Sequence, residues 1–393
     1  MKEIHTDALI IGSGLVGLVA AHSLVSLGFK VTIIDKKKFS HSKVNNQDTR
    51  TVAVSEGSKE FLKSLSLWGQ LEKYAEPIKT IKIFDQFYKN KIKFENEIRN
   101  NKLGYVVQNS ILSKTLRESL TQYKSLQSLD GQDFNKISLK NELAITYLKK
   151  HKINSKLIIA ADGKNSDIKK IVGNKTYKKN YNESALVINF NHKRKLNGEA
   201  YEIFYKTGPL AILPMKSSKK TSQSTVIWTN KDSFLQKLMS CKDDFVLNFM
   251  EEKIGNIVGE ITNINSMQKF SLSAHINDYF FNKRLIYVGD SAHSIHPIAG
   301  QGWNLGVTDV KNLYQISKNL KYTKTDIGSD LFCKNYNQLS YYKAFQLFQI
   351  TDKLNSYFKK DIRYYRYANS VGFNLINKAP VLKNKITKFA MGF

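Results

Sequence analysis

The sequence predicts an α/β protein: a doubly wound nucleotide-binding lobe, a lobe of mixed β-sheet and a helical C-terminal region. Three observations carry this. At the start of the chain an apolar strand, a glycine-rich turn and an apolar helix lead into a second strand that ends in an acid. Short apolar or alternating runs, bounded by polar residues, recur between Glu183 and Ser266. Beyond Asp330 the apolar spacing turns helical, on a basic background.

The first element, Thr6 to Ile11, is apolar enough to be a buried strand. Gly12-Ser13-Gly14-Leu15-Val16-Gly17 follows and fits G-x-G-x-x-G. Gly12 permits the tight turn, Gly14 lets a pyrophosphate come close to the backbone, and Gly17 lets helix and strand pack. The helix predicted over Gly14 to Leu27 offers its N-terminal N–H groups to that phosphate. Lys30 to Asp35 is the second strand of the βαβ unit, with Asp35 at its end to accept from a ribose 2′-hydroxyl. An acid there disfavours a 2′-phosphate. The slot suits FAD or NAD, and the fingerprint alone leaves the two open.

Ile78 to Lys93 alternates through Ile81, Ile83 and Ile92 in the manner of sheet strands. Asn109 to Tyr123 has helical spacing through Leu112, Leu116 and Leu120, and Lys156 to Ala161 is a third buried strand. Four strands are expected next: Ala185 to Phe190, Glu199 to Tyr205, Leu210 to Leu213 and Thr225 to Thr229. Leu285 to Val288 is another buried strand, and it runs straight into Gly289-Asp290. An Asp just past a strand end can hold a sugar-like hydroxyl. Gly300-Gln301-Gly302 lets backbone N–H groups approach a flat or anionic ligand, because two of its residues lack a Cβ. Asn304 and the apolar run after it open a helix whose N-terminus points back at the same place.

Composition removes several function classes. At 393 residues the chain can bury a large core in two lobes. It has no apolar run of about 18 residues, so no membrane span is expected. Met1 to His5 leads directly into a strand and leaves no room for a signal peptide. Cys241 and Cys333 have neither metal nor disulfide spacing, and the eight histidines form no metal cluster, so a reducing cytoplasm and no metal are expected. No Gly-x-Ser-x-Gly elbow or Cys-His pair is present for nucleophilic hydrolysis. The net charge of +28 comes from 54 lysines and only seven arginines. Arginine is the preferred fork for phosphates and base edges, so this balance argues against nucleic acid. Attraction to anionic lipid, at about 1 kcal/mol for each basic group near the surface, is compatible with it.

His296 through Asp309 meets in full the signature His-Pro-x-Ala-Gly-Gln-Gly-x-Asn-x-Gly-x-x-Asp. By that segment the chain resembles the FAD-dependent aromatic-ring hydroxylases of ubiquinone biosynthesis, of the UbiH type, and the likeness runs from Asp7 to Gly392. Leu157 to Ser166 resembles the family's Asp-Gly motif, near both flavin and nicotinamide path, through Asp162 and Gly163. Asp48 to Ser55 resembles its Asp-x-Arg-x-x-x-x-Ser segment, in which Arg50 would lie over the flavin and its phosphates. Gly104 to Asn109 resembles the entry to a flavin-facing helix, where Gln108 or Asn109 would reach the ribityl hydroxyls. Thr351-Asp352-Lys353-Leu354, Phe358, Arg363, Arg366, Pro380, Leu382-Lys383 and Ala390-Met391-Gly392 resemble the ubiquinone-hydroxylase tail. Ser291 stands where Ala is usual, and Trp303 fills a slot more often held by a smaller residue.

The resemblance implies an aromatic-hydroxylase architecture of the glutathione-reductase type, in which a Rossmann-like FAD-binding lobe (1–77, 103–180 and 267–340) is interleaved with a substrate-binding sheet lobe (78–102 and 181–266), followed by C-terminal helices (341–393). It implies bound FAD held by Gly12, Gly14, Gly17, Asp35, Arg50, Gln108, Asp162, Gly289, Asp290, Gly300, Gln301, Gly302 and Asn304, with Asp290 on the ribityl chain. NAD(P)H would be a transient co-substrate. His296, Pro297 and Gly300 would lie beside the flavin, and no side chain is assigned as a catalytic base. The implied reaction is hydroxylation of a polyprenylated phenol or benzoquinol with O2, through a flavin C4a-hydroperoxide. The implied setting is cytoplasmic, peripheral to the membrane and within a ubiquinone-biosynthesis protein assembly. The competing readings are an FAD-dependent reductase or dehydrogenase of a prenyl or quinone substrate without oxygen insertion, and a non-catalytic flavin-binding member of such an assembly.

Overall fold

The structure is a computed structural model that describes residues 1–38, 48–85, 91–95, 102–217, 221–323, 325–359 and 376–392. The expected tail residues Arg363 and Arg366 lie outside the described residues.

The nucleotide lobe is assembled on the strand Lys2–Ile11. It pairs in parallel with His151–Ala160 on one side and with Val31–Asp35 on the other. Leu126–Asp130 and Leu285–Tyr287 extend the parallel sheet outward. Ala8, Leu9 and Ile10 are fully buried in sequence, as a parallel strand covered on both faces requires. The helix Leu15–Ser26 buries every residue from Gly17 to Val25, which explains why its apolar character runs all round. It packs against the sheet and against the helices Asn109–Leu120 and Gly302–Thr323.

The second sheet is mostly antiparallel. Its order is His293–Ser294, Ile261–Asn277, Thr176–His192, Ser222–Lys231, Gly208–Met215, Glu199–Tyr205, Thr80–Asp85 and Lys91–Glu95. One face carries Leu186, Ile188, Val226, Trp228, Leu210, Ile212, Tyr201 and Ile203, buried beneath two helices, Asp232–Met239 and Asp243–Val258. The stretch between Glu183 and Ser266 is strand-rich in sequence, and these two helices stand in addition to its four expected strands. Leu235 and Leu238, then Val246, Met250 and Ile254, lie at spacings of three and four and make one apolar stripe. The 17-residue strand Ile261–Asn277 has no clear sequence signature, because much of it is only half-buried and its residues do not alternate. It and Thr176–His192 run across positions 180/181 and 266/267, where the lobe changes are expected.

A small third sheet, Thr51–Ser55 with Gly104–Gln108 and Glu76–Ile78, lies between the lobes. The helix Asp330–Phe358 is tied to the central sheet by the buried Tyr336 hydroxyl, which donates to the Tyr287 carbonyl at 2.7 Å. The last helix, Pro380–Ala390, brings the chain end back to Gly57, whose N–H donates to the Met391 carbonyl at 2.8 Å.

Helix and strand meet where glycine alone fits. A Cβ on Gly17 would stand 2.1 Å from the Gly12 carbonyl oxygen, whereas one on Gly14 would meet nothing within 4 Å. Gly17→Ala is therefore expected to cost roughly 2 kcal/mol or more in urea unfolding. Gly14→Ala should stay within about 1 kcal/mol of the parent. Equal costs would contradict the packing described.

Candidate functional site

The first glycine turn leaves a bare helix N-terminus. Gly12 has φ +103° and lies against the Ala161 carbonyl, where any Cβ would stand 2.3 Å from the oxygen. Gly14 is the N-cap of Leu15–Ser26, with no side-chain cap and no acid in the first turn. The leading N–H groups are thus left for an anion. Asp35 shapes the same turn: one oxygen accepts from the Ser13 N–H at 2.7 Å and hydroxyl at 2.8 Å, the other from the Lys37 N–H at 2.8 Å. Its remaining lone pairs are what it can offer a ribose. Arg117, which the sequence analysis did not single out, donates to the Ser13 carbonyl and faces both Asp35 and Asp130.

The second glycine segment meets the first through one side chain. Val16 packs against Gly289 and Gly306; a Cβ would lie 3.1 Å from it at Gly289 and 2.8 Å from it at Gly306. Gly289 has φ +57°, and its N–H donates to the buried Asp309 carboxylate at 2.9 Å. The same oxygen lies 2.7 Å from His293 Nε2. Asp309 thus pins both ends of the turn that presents Asp290. The Asp290 side chain keeps exposed surface although protein surrounds it, as a group on the wall of a deep cleft does. Burial raises its pKa, with His293, Lys164, Arg50 and Lys169 acting in the opposite direction. Its carboxylate has no hydrogen-bond partner among the described residues.

Asn304 is buried and its amide is spent on protein. Oδ1 accepts from the Ser55 N–H at 2.9 Å, and Nδ2 donates to the Ala53 carbonyl at 2.8 Å. It joins the long helix to the small third sheet. Gly300 has φ +60° and lies near Ala53, and at Gly302 a Cβ would meet nothing within 4 Å. Gln301 and Gly302 lead directly into the helix Gly302–Thr323, whose first turn carries no acid. Pro297 precedes the 3-10 turn Ile298–Gly300. His296 is buried, edge-on to Tyr181 at 5.0 Å between centroids, and its Nε2 is 3.9 Å from Glu183 Oε2. Ser291, in place of the usual Ala, reaches the Ala160 carbonyl and so fastens the Gly289 turn to the central strand.

Asp162 ends the strand His151–Ala160 by one further turn residue. Its Oδ2 accepts from the Asp167 N–H at 3.0 Å, while its Oδ1 is buried without a partner. Gly163, φ +82°, has open space where a Cβ would be. Behind it lies a pair with no local signature in the sequence. Lys169 Nζ donates to His275 Nε2 at 3.1 Å, and burial depresses the lysine to about 8 and the histidine to about 3. Because an ammonium only donates, His275 is neutral with its proton on Nδ1. Arg50 makes a two-point contact with Asp48, at 2.8 and 2.7 Å, and stands over the Phe270 ring at 5.0 Å. Gln108 immediately precedes the helix Asn109–Leu120, makes no side-chain bond to its first turn, and lines a cavity of about 170 Å³ with Thr51, Tyr74, Val106, Ile111, Met215 and Lys216. Asn109 reaches Asp48 at 3.4 Å.

These residues fit FAD. Gly14, Gly163 and Gly302 leave open space, two helix N-termini are free of acids, and Asp290 offers an unpartnered carboxylate in a cleft. Among the described residues no cluster that could hold a metal is found.

Comparison with known proteins agrees. The chain is 26% identical to ubiquinone hydroxylase UbiL of Rhodospirillum rubrum, covering 98% of this chain and 89% of that one. It is 25% identical to 3-demethoxyubiquinol 3-hydroxylase of Escherichia coli, over 100% of both chains. Its fold matches that of p-nitrophenol 4-monooxygenase PnpA of Pseudomonas putida, with TM-score 0.78, 15% identity, and coverage of 100% and 99%. PqsL of Pseudomonas aeruginosa matches at TM-score 0.77 with 13% identity, covering 94% of this chain and 99% of that one. The family model described as FAD binding domain matches residues 5–321, and the chain belongs to that family.

Proposed function

We propose that this protein is an FAD-dependent monooxygenase that hydroxylates the ring of a polyprenylated phenol or benzoquinol in ubiquinone biosynthesis, with NAD(P)H and O2. The observation that carries this reading is the cradle of Gly14, Gly289, Asp290 and Gly302, linked through Arg50, which faces Asp290 and stands over Phe270, to a sheet face with Ala211, Leu213 and Ile227 that the sheet's own two helices do not cover. The names of the full-length relatives support the substrate class.

In this reading the helix Leu15–Ser26 and Gly14 hold the pyrophosphate, Asp35 the adenosine ribose and Asp290 the ribityl hydroxyls. Gln301 and Gly302 present backbone N–H groups to the ring system, and Arg50 lends positive charge from its seat between Asp48 and Phe270. The apolar face holds the aromatic ring and excludes water. When bound, FAD supplies the oxidation of NAD(P)H and the activation of O2, so no side-chain nucleophile is required.

Peripheral membrane contact at the inner face of the cytoplasmic membrane, within a biosynthetic assembly, completes the proposal. No helix among the described residues is long and apolar enough to cross a membrane. The helix Asp330–Phe358 buries Phe332, Tyr336, Ala344 and Phe348, yet exposes Leu331, Leu339, Tyr342, Phe345 and Ile350 along its other side. Val381 and Leu382 are exposed on the last helix. An apolar stripe among lysines is what an interfacial helix presents to lipid.

Two measurements test this. With a short-chain prenylphenol, the purified protein should oxidise NAD(P)H at least about tenfold faster, with a product one oxygen heavier. Oxidation without oxygen gain would mean a dehydrogenase; no stimulation would contradict enzymic action on this class. The double variant Gly14→Ala, Asp290→Ala should purify folded but without flavin, and stoichiometric flavin in it would refute the cradle. For the membrane contact, the triple substitution of Leu339, Tyr342 and Phe345 by Ser should leave the melting temperature unchanged and weaken binding to anionic liposomes at least about tenfold. Parental binding would remove the lipid-facing role of the stripe.

A further inference from the structure

Strand register places one row of side chains across the second sheet, on the face turned toward the nucleotide lobe. The row runs Ile83, Glu202, Ala211, Ile227 and Val187. Four of these are aliphatic and one is a carboxylic acid. On the opposite face the same strands carry Tyr201, Ile203, Leu210, Ile212, Val226 and Trp228, all buried under helices. On the row's own face Ile83, Glu202, Ala211, Leu213 and Ile227 keep accessible surface. The sheet's own helices therefore leave that face free, and Ile83 and Leu213 pack in part against Ala53, Phe358 and Met391 at its edge. Phe204, beside Glu202 on this face, stacks on Phe358 at 3.9 Å between centroids and closes one side. Asn189, on the next row, donates to the Thr49 carbonyl beside Arg50 and ties the floor to the proposed flavin segment.

Glu202 stands on an interior strand, between Gly208–Met215 and Thr80–Asp85, so its carboxyl has no strand edge beside it. Among the described residues it has no hydrogen-bond or ion-pair partner. Asp85, two residues beyond Ile83, is the other carboxylate on this face of the neighbouring strand. Lys82, Lys91 and Lys93 point to the other face, where Lys82 binds Glu199 at 2.6 Å. Gly208–Met215 brings no titratable group to this face. A partnerless carboxyl in an apolar floor is costly to keep unless it serves a ligand.

We propose that the Glu202 carboxyl binds an oxygen substituent of the aromatic substrate and thereby sets which ring carbon faces the flavin. This rests on the reading that an aromatic ring occupies the cleft. Burial pushes the Glu202 carboxyl up to about 8, so at neutral pH it is protonated, with one O–H to donate and a carbonyl oxygen to accept. A phenol hydroxyl offers the complementary pair, and a methoxyl oxygen can take the donated proton. The row's aliphatic members contact only the ring and its tail, so this group supplies the polar discrimination.

The test uses the full-length FAD-loaded protein, a short-chain prenylphenol in detergent, and the variants Glu202→Gln and Glu202→Leu. Glu202→Leu should melt no lower than the parent, because it replaces a partnerless acid by an apolar side chain. It should raise Kd and KM for prenylphenol about tenfold, with a smaller change in kcat. Glu202→Gln, which keeps a donor and an acceptor, should return both to within about threefold. Infrared difference spectra, with Glu202→Gln as the blank, should show one protonated carboxyl band that shifts when prenylphenol binds. Parental affinity in Glu202→Leu, together with an unmoved band, would overturn the assignment. A shifted band without ring hydroxylation would keep Glu202 as the anchor and refute the proposed reaction. Failure of prenylphenol to bind the parent protein would refute both.

Discussion

The cleft depends on one apolar contact, the seat of Val16 against Gly289 and Gly306. Val16 belongs to the first glycine turn, Gly289 to the turn before Asp290 and Gly306 to the long helix beyond, so three distant pieces of chain meet there. Neither glycine can gain a methyl group without moving Val16 or the turn. Asp309, one helical turn beyond Gly306, holds the arrangement by accepting from the Gly289 N–H and pairing with His293. Removing that carboxylate would leave two buried polar groups without partners, each costly in an interior.

From this contact the remaining site follows outward. Asn304, fixed on the same helix, ties Ala53 and Ser55 to it, and so positions the strand that follows Arg50. The chain end is held at the same place: Met391 is buried, and its carbonyl accepts from the Gly57 N–H two residues beyond Ser55. The tail is therefore part of the support of the cleft as well as the carrier of an exposed apolar stripe. On the far side, the second sheet offers a floor that its own helices do not cover. Polar demands are met by backbone N–H groups, a few carboxylates and the arginines Arg50 and Arg117, which suits chemistry supplied by a bound cofactor.

The sequence revealed most where local constraints are strong. The Gly12 to Gly17 turn, the strand ends at Asp35 and Asp290, and the helix after Gly302 all carry their geometry in residue types that few other folds demand at those spacings. It was silent where pairing is set by distant partners. Ile261–Asn277 carries polar residues along much of its length and gains its order from Thr176–His192. The helices over Asp232–Met239 and Asp243–Val258 had a legible apolar stripe, hidden by strands on either side. The amide of Asn304 binds Ala53 and Ser55, partners so far along the chain that no local pattern announces them. Lys169 and His275 are 106 residues apart, and no local pattern predicts their pairing. Glu202 was readable in principle: Glu199–Tyr205 is apolar on both faces, so an acid at its centre could not escape burial.

Ring hydroxylation in ubiquinone biosynthesis is open to one decisive measurement, mass spectrometry of quinone intermediates in cells lacking the gene. One polyprenylated phenol or quinol, short of a single oxygen, should accumulate and disappear when the parent gene is restored. Normal ubiquinone with no accumulated intermediate, in cells with no second hydroxylase of this type, would contradict it.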